Sequence, residues 1–204
     1  MTRVQAKSDM LAGLDGADRW NQVIGTTKAI WGHRPEMYDA YLEFAESMRR
    51  SGTISPRLRE LLRLRIAFHN QCRTCMAVRF SPDLVSEDLV CSLERPHEAD
   101  DLTPAERSAL RFADLLATDH LAIDNTFYDG MREFFDEGEL FELGLICGVY
   151  IGIGRMVATW HIVDDLPASF QVAEGTRVTP WGHAETVAGI ETLDSFPLVD
   201  SPAA

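Results

Sequence analysis

Residues 55–75 read SPRLRELLRLRIAFHNQCRTC and contain both a helix start and a Cys-x-x-Cys pair. Ser55 is a favourable N-cap residue, and Pro56 suits the first helical position because it has no amide hydrogen to leave unpaired. Leucine and isoleucine then recur at helical spacing until a polar Asn-Gln pair interrupts them. We therefore predict one helix from Pro56 to about His69 and a second helix that the cysteine pair opens.

The same helical periodicity dominates the rest of the chain, and no segment alternates strictly between apolar and polar residues as a half-buried strand does. The stretch Thr103-Pro104-Ala105-Glu106 forms a full capping box, which predicts another helix start;. We predict an all-α protein, a bundle of about six to eight helices. Further helices are expected at 20–31, 35–48, 125–135 and 139–162. The helix at 35–48 is expected to pack through Met37, Tyr41, Phe44, Ala45 and Met48.

Composition limits the class of protein. The chain has 204 residues, of which 46% are hydrophobic and 25% are charged, as in one ordinary globular domain;. Its formal charge of −13 repels phosphate backbones and anionic membrane surfaces, so neither nucleic acid nor a membrane is expected as a partner;. The first thirty residues lack an apolar segment typical of export signals, and we expect a cytoplasmic protein.

The charge is distributed unevenly. Residues 49–79 contain eight arginines and one carboxylate, hence a net charge of +7, so the rest of the chain carries −20. Positive surroundings and a helix N-terminus both favour a thiolate over a thiol. We expect at least five of the eight arginines to pair with acidic side chains, and Arg73 and Arg79 to be available near the cysteines.

Two other features are expected to be structural. Cys91 and Cys147 stand singly among apolar neighbours, as small buried hydrophobic residues do. The longest apolar run has twelve residues, fewer than the roughly 20 needed to span a bilayer, and predicts a buried helix;. Within it Gly144, Gly148 and Gly152 lie four residues apart, which indicates tight packing against another backbone.

The residues around the pair resemble the carboxymuconolactone decarboxylase and alkyl hydroperoxidase D-like superfamily. Its peroxidase branch has a glutamate twelve residues before a Cys-x-x-Cys, and Glu60 precedes Cys72 by twelve. The resemblance covers about residues 35–166. It leaves an N-terminal helical extension at 1–34 and an irregular C-terminal tail at 167–204. We expect Phe170, Trp181 and Phe196 to lay this tail over a neighbouring subunit.

The resemblance implies a thiol-dependent peroxidase or disulfide oxidoreductase. It makes Cys75 the more buried thiol that attacks a peroxide and Cys72 the more exposed thiol that resolves the intermediate as a disulfide. Glu60 belongs to the proton relay. An external dithiol must then reduce the disulfide. The resemblance also implies an alkyl hydroperoxidase D-like fold and a homo-oligomer, either a trimer or a hexamer.

The chain departs from the peroxidase pattern four residues after the second cysteine. Arg79 stands where that branch has a histidine, and an arginine stays protonated and cannot act as a general base. His69, three residues before Cys72, is the candidate that replaces the proton carrier. Arg79, with Arg73, is the candidate that binds an anionic substrate.

Two alternatives remain open. The first is a cofactor-independent decarboxylase or lyase, in which Arg79 and Arg73 hold a small carboxylated or lactone substrate and His69 moves the proton. The second is a helical oligomer whose cysteine pair senses redox state without catalysis. None of the three interpretations requires a cofactor, and no ligand spacing in the sequence indicates a metal site.

Overall fold

The computed structural model describes residues 2–189, and helices dominate this part of the chain. It holds nine α-helices, seven of which have six or more residues, in agreement with the predicted bundle. In chain order they are α1 Ser8–Leu11, α2 Arg19–Trp31, α3 Pro35–Ser51, α4 Pro56–Asn70, α5 Arg73–Ala77, α6 Glu87–Ser92, α7 Pro104–Thr118, α8 Asn125–Met131 and α9 Glu137–Trp160. Two short strands, β1 Val78–Arg79 and β2 Val187–Ala188, pair in parallel.

Helix α4 is the centre of the molecule. It packs against α7 and α9, and its leucines and Ile66 are buried in the main hydrophobic core. A helix that is covered on nearly all sides must also bury its polar residues, and α4 buries Glu60 and Arg63;. The short helix α5 follows α4 directly, so the core element of the fold positions the cysteine pair.

The predicted helix starts are confirmed. The Ser55 hydroxyl accepts a hydrogen bond from the Leu58 amide at 3.2 Å, and α4 ends at Asn70, where Gln71 adopts the left-handed conformation with φ of 50°. At α7, Thr103 Oγ1 accepts from the Glu106 amide at 3.1 Å, while the Glu106 carboxylate accepts from the Thr103 amide at 2.8 Å. Both signals are local, which is why the sequence alone could identify them.

The predicted packing face of α3 is only partly correct, since Tyr41 stacks on Trp31 and Met48 packs against the main core. Met37 and Phe44 are exposed, by 66% and 40%, whereas Tyr38 and Leu42 are buried. The Tyr38 ring stacks on Trp31 of α2 with the ring centroids 5.3 Å apart. Tyr38 and Tyr41 therefore both pack on Trp31, and the packing face of α3 includes Tyr38 and Leu42 as well as Tyr41;.

Helix α9 is less buried than predicted. By length and composition alone it could cross a membrane, and in the fold one face of it packs on α4 and α7. Within residues 2–189, a Cβ atom added at Gly144, Gly148 or Gly152 would meet no other atom within 4 Å. The glycines therefore do not pack tightly inside this chain. Together with Phe141, which is 71% exposed, they form what we call the glycine face of α9.

The segment after α9 packs on its own chain, contrary to the expectation for its aromatic residues. Phe170 and Trp181 are buried among core residues of the same chain, and Phe196 lies outside the described residues. Strand β2 adds to β1, which directly follows α5, with Val187 opposite Val78. The segment around 170–188 therefore closes over the region of the cysteine pair.

Candidate functional site

The cysteine pair lies at the start of α5, as predicted. Cys72 is the N-cap residue, and the Cys75 amide donates a hydrogen bond to Cys72 Sγ at 3.3 Å. The two sulfur atoms are joined in a disulfide, with the Cα atoms 5.2 Å apart. One helical turn thus holds both sulfurs together, and the amide of the second residue faces the sulfur of the first.

The expected order of burial is reversed. Cys72 is fully buried, among Ile30 of α2 and Val157 and Trp160 of α9, because the N-cap of α5 points into the gap between these two helices. Cys75 is only partly buried and lines a cavity of about 160 Å³. Cys75 is therefore the sulfur that a small molecule in the cavity can reach.

The cavity beside Cys75 has a largely aromatic wall, and we call it the aromatic cavity. Helix α2 contributes Trp31, α3 contributes Tyr38 and Tyr41, and α9 contributes Tyr150. Phe80, which follows β1, completes the ring of aromatic residues. Such a wall favours an apolar ligand body next to the reactive sulfur. Sequence reasoning did not find this cavity, since its residues come from elements far apart in the chain.

Glu60 is linked to the cysteine pair indirectly, through Arg63, a residue that the sequence analysis did not select. Its carboxylate binds the Arg63 guanidinium through two hydrogen bonds of 2.7 Å, and it also accepts from the Phe80 amide at 3.0 Å. Arg63 in turn donates to the carbonyl oxygens of Cys75, at 2.6 Å, and Val78, at 2.7 Å. The buried pair therefore fixes the end of α5, and Arg63 also lines the aromatic cavity. The i, i+3 spacing of Glu60 and Arg63 was the available signal.

His69 does not line the aromatic cavity. Its Nε2 atom lies 2.7 Å from Asp114 Oδ1 of α7, and the same carboxylate accepts from Arg65 Nε at 2.6 Å. The ring borders a different, larger cavity. The structure thus places the predicted proton carrier in an ion-pair cluster rather than beside Cys75.

From the ion-pair cluster of His69, Arg65 and Asp114 we predict how the stability of the protein depends on pH. Burial would raise the pKa of the Asp114 carboxyl, but hydrogen bonds from His69 and Arg65 outweigh burial and lower this pKa below its ordinary value of 3.8. The stabilisation by Asp114 is therefore complete above the unfolded-state pKa and is lost as the pH falls through the folded-state pKa. In denaturant titrations from about pH 5 to 2, we expect Asp114→Asn to show a shallower fall of the unfolding free energy than the wild type. Asp129→Asn, at a 74% exposed carboxylate, should match the wild type, and an unchanged slope in Asp114→Asn would contradict the prediction.

Arg79 cannot bind a substrate in this structure, which corrects the role predicted for it. Its side chain is 1% exposed, and all five N–H groups are used within the protein;. The guanidinium pairs with Glu87 and donates to the carbonyl oxygens of Met76, Val78 and Pro180. Arg79 therefore joins α5, α6 and the segment before β2.

The positive segment around the cysteines is mostly neutralised. Seven of its eight arginines form ion pairs with carboxylates, which confirms the expectation that at least five would do so. Arg73 instead donates to the carbonyl oxygens of Val172, at 2.5 Å, and Ala173, at 2.8 Å. Since carbonyl groups carry no net charge, Arg73 is the arginine of this segment whose charge stays uncompensated within residues 2–189.

The two other cysteines differ from each other. Cys147 is buried as predicted, and burial raises the pKa of its thiol to about 12. Cys91 is exposed, contrary to prediction, because it lies on the outer side of the short helix α6. In the part of the chain that is described, no group of three or more His, Cys, Asp and Glu side chains is placed to hold a metal ion.

Comparisons with known proteins agree with this architecture. Residues 35–115 match the model of the carboxymuconolactone decarboxylase family. The fold is similar to the crystal structure of the alkylhydroperoxidase AhpD core, an uncharacterized peroxidase-related protein from Ralstonia eutropha JMP134. The TM-score is 0.57 at 19% sequence identity, over 79% of this chain and 85% of that one. No curated protein sequence matches the chain. The expected AhpD-like helical fold is confirmed.

Proposed function

We propose that this protein is a thiol-dependent peroxidase that uses Cys72 and Cys75, because residues 35–115 match the model of the carboxymuconolactone decarboxylase family and the fold is AhpD-like. One observation carries the proposal: the partly exposed Cys75 lines the aromatic cavity while its sulfur is bonded to Cys72. A reactive sulfur, a resolving sulfur and a binding cavity are thus present at one place.

The proposed reaction has three balanced steps. The Cys75 thiolate attacks the O–O bond of a hydroperoxide, which gives a sulfenic acid on Cys75 and, with one proton, an alcohol. The Cys72 thiol then condenses with the sulfenic acid to the disulfide and releases water. An external dithiol reduces the disulfide and is itself oxidised to a disulfide. The substrate is a small peroxide, and a dithiol is the proposed partner. We also place the protein in the cytoplasm, where thiols are kept reduced.

The positions of the two sulfurs suit the reduction step. The incoming thiolate can reach Cys75 through the cavity, and Cys72 is then the leaving group. The Cys75 amide and the N-terminal end of α5 stabilise the negative charge that develops on Cys72;. This arrangement supports attack at Cys75 in both half-reactions. The resemblance assigns the attacking role to the more buried thiol, whereas here the attacking Cys75 is the more exposed cysteine.

Proton transfer to the leaving alcohol does not use Arg79, which is confined to structural contacts. The residues that line the aromatic cavity include no histidine, aspartate or glutamate within the described chain. They do include Tyr38, Tyr41 and Tyr150, and we assign the proton transfer to the protic groups at this wall rather than to His69. Glu60 acts as a positioning residue through Arg63.

The proposal is tested by peroxide consumption with dithiothreitol as the reductant and either hydrogen peroxide or cumene hydroperoxide as the oxidant. We expect turnover by the wild-type protein and none by the Cys72→Ser, Cys75→Ser double variant. Wild-type consumption no faster than that of the double variant, with both oxidants, would contradict the proposal. That result would favour the non-catalytic redox sensor, while the decarboxylase interpretation has lost Arg79 as its substrate-binding residue.

We also propose that subunits associate through the glycine face of α9. Only 28% of the most apolar 18-residue window of this helix is buried within the chain, so a large apolar surface remains to be covered;. Gly144, Gly148 and Gly152 let another backbone approach closely.

The association is tested by mass measurement in solution. We expect an oligomer for the wild type and a smaller species for Gly148→Trp, because an indole cannot fit where a glycine allows close contact. Gly130→Trp is the matched control, as a Cβ at Gly130 also meets open space but lies on α8, away from the glycine face. Equal masses for the three proteins would exclude this interface.

A further inference from the structure

A second cavity, of about 590 Å³, lies beside the aromatic cavity, and its size falls within the range of small-molecule sites;. Thr74 and Val157 line both cavities, so the two are neighbours across the start of α5. The charged and titratable side chains of its wall are Arg3, His69, Arg73, His161, Glu174 and Arg177. We call it the cationic pocket.

The charge of the cationic pocket is opposite to that of the protein. Three arginines and one carboxylate give the wall a net positive charge even with both histidines neutral, whereas the whole chain carries −13. Glu174 is already paired with Arg3. Arg73 donates hydrogen bonds to the backbone carbonyls of Val172 and Ala173. Because these carbonyls carry no net charge, the positive charge of Arg73 still attracts anions to the pocket. The cationic pocket therefore attracts anions, whereas the negative net charge of the whole protein repels them.

Two side chains of the wall retain hydrogen-bonding capacity. Within residues 2–189, neither Arg177 nor His161 has an ion-pair or side-chain hydrogen-bond partner. The Arg177 guanidinium lies over the Phe68 ring, 4.8 Å from its centroid, and this contact orients it;. Burial and the nearby Arg3 and Arg73 lower the pKa of His161, so its neutral ring can donate one N–H group and accept at the other nitrogen;.

The pocket is held in shape by contacts between distant parts of the chain. Arg73 ties the segment around 172–173 to α5, and Arg3 ties the N-terminal segment to Glu174. His161 ends α9 in the left-handed conformation with φ of 56°, which directs the chain back along the pocket. Arg3, His161 and Arg177 lie outside the family-matched region 35–115, whereas His69 and Arg73 lie inside it, so the pocket combines both parts of the chain.

From this arrangement we infer that the cationic pocket binds a small multivalent anion with carboxylate or phosphate groups. Arginines bind both groups through paired N–H donors, and the several cations suit a ligand with more than one negative charge. The inference goes beyond the proposed peroxidase and does not depend on it, because no sulfur atom takes part in the binding.

The inference is tested by calorimetric titration of the full protein with inorganic phosphate and, separately, with citrate. We expect saturable binding of at least one anion, with a Kd of about 1 mM or below, and weaker binding as sodium chloride is added. Arg177→Gln should raise the Kd about tenfold, and His161→Asn should raise it less, since asparagine tolerates the left-handed conformation. Binding of phosphate alone or citrate alone would identify the preferred group.

The control is Arg132→Gln, which removes an exposed arginine at the end of α8, remote from the pocket in the chain. Its Kd should equal that of the wild type. No saturation with either anion, or the same Kd in Arg177→Gln as in the wild type, would overturn the inference. Arg177 is exposed, so its replacement leaves the fold intact and a loss of binding cannot be attributed to unfolding.

Discussion

Cys75→Ser is expected to lose the reaction of the cysteine pair with peroxide, whereas Cys72→Ser should still form a sulfenic acid on Cys75 and, without an external thiol, react no further. Cys75 lines the aromatic cavity and is the sulfur proposed to attack the peroxide, while Cys72 is fully buried. Without Cys75 no sulfenic acid forms. Without Cys72 the sulfenic acid forms but cannot close to the disulfide, so in the absence of an external thiol the reaction stops at the sulfenic acid.

Mass spectrometry after peroxide treatment in the presence of dimedone, which traps sulfenic acids, measures both effects. The adduct should appear on Cys75 in Cys72→Ser and be missing from Cys75→Ser. Cys91→Ser is the matched control, since it removes an exposed thiol outside the site, and it should turn over as the wild type does. An adduct on Cys72 in Cys75→Ser would reverse the roles proposed for the two sulfurs.

Glu60→Ala is expected to destabilise the protein by about 3–5 kcal/mol, the usual cost of breaking a buried ion pair. Both partners are almost completely covered, so the alanine removes the carboxylate that binds the Arg63 guanidinium inside the protein. The Phe80 amide also loses its acceptor. Arg63 holds the end of α5 through its bonds to Cys75 and Val78, and the cysteine pair should become more mobile as well.

Urea unfolding at neutral pH measures the loss. Glu98→Ala is the control, because Glu98 pairs with Arg95 on the exposed surface, where ion pairs contribute little;. The double variant Glu60→Ala, Arg63→Met should recover part of the stability, since it also removes the buried positive charge of the Arg63 guanidinium. A loss no greater than that of Glu98→Ala would show that the buried pair does not hold this region together.

Local signals in the sequence were sufficient for the starts of α4 and α7. A cap such as Ser55 or Thr103 bonds an amide three residues away, so its geometry is contained in one short segment. The same holds for the cysteine pair and the helix it opens. The packing face of α3 was predicted only in part, because contacts with Trp31 on the neighbouring helix help to decide it and the spacing along α3 carries no information about that residue.

The candidate site was only partly predictable, for the same reason. Arg79 was expected at the site because it follows Cys75 by one helical turn. Its guanidinium instead binds Glu87 and the Pro180 carbonyl, 101 residues away, so it is not available to bind a substrate. The burial of Cys72 depends on α2 and α9, and the aromatic cavity combines residues from α2, α3 and α9. No spacing within a motif specifies such contacts between distant elements.

The short separation of the two cysteines determines how much the disulfide contributes to the stability of the fold. A disulfide stabilises a fold chiefly by restricting the unfolded chain, and the restriction grows with the number of residues enclosed. Cys72 and Cys75 are three positions apart, which restricts the unfolded chain by only about 2 kcal/mol in that description;. The helical core therefore does not rely on the bond, as the proposed cycle of opening and closing the pair requires.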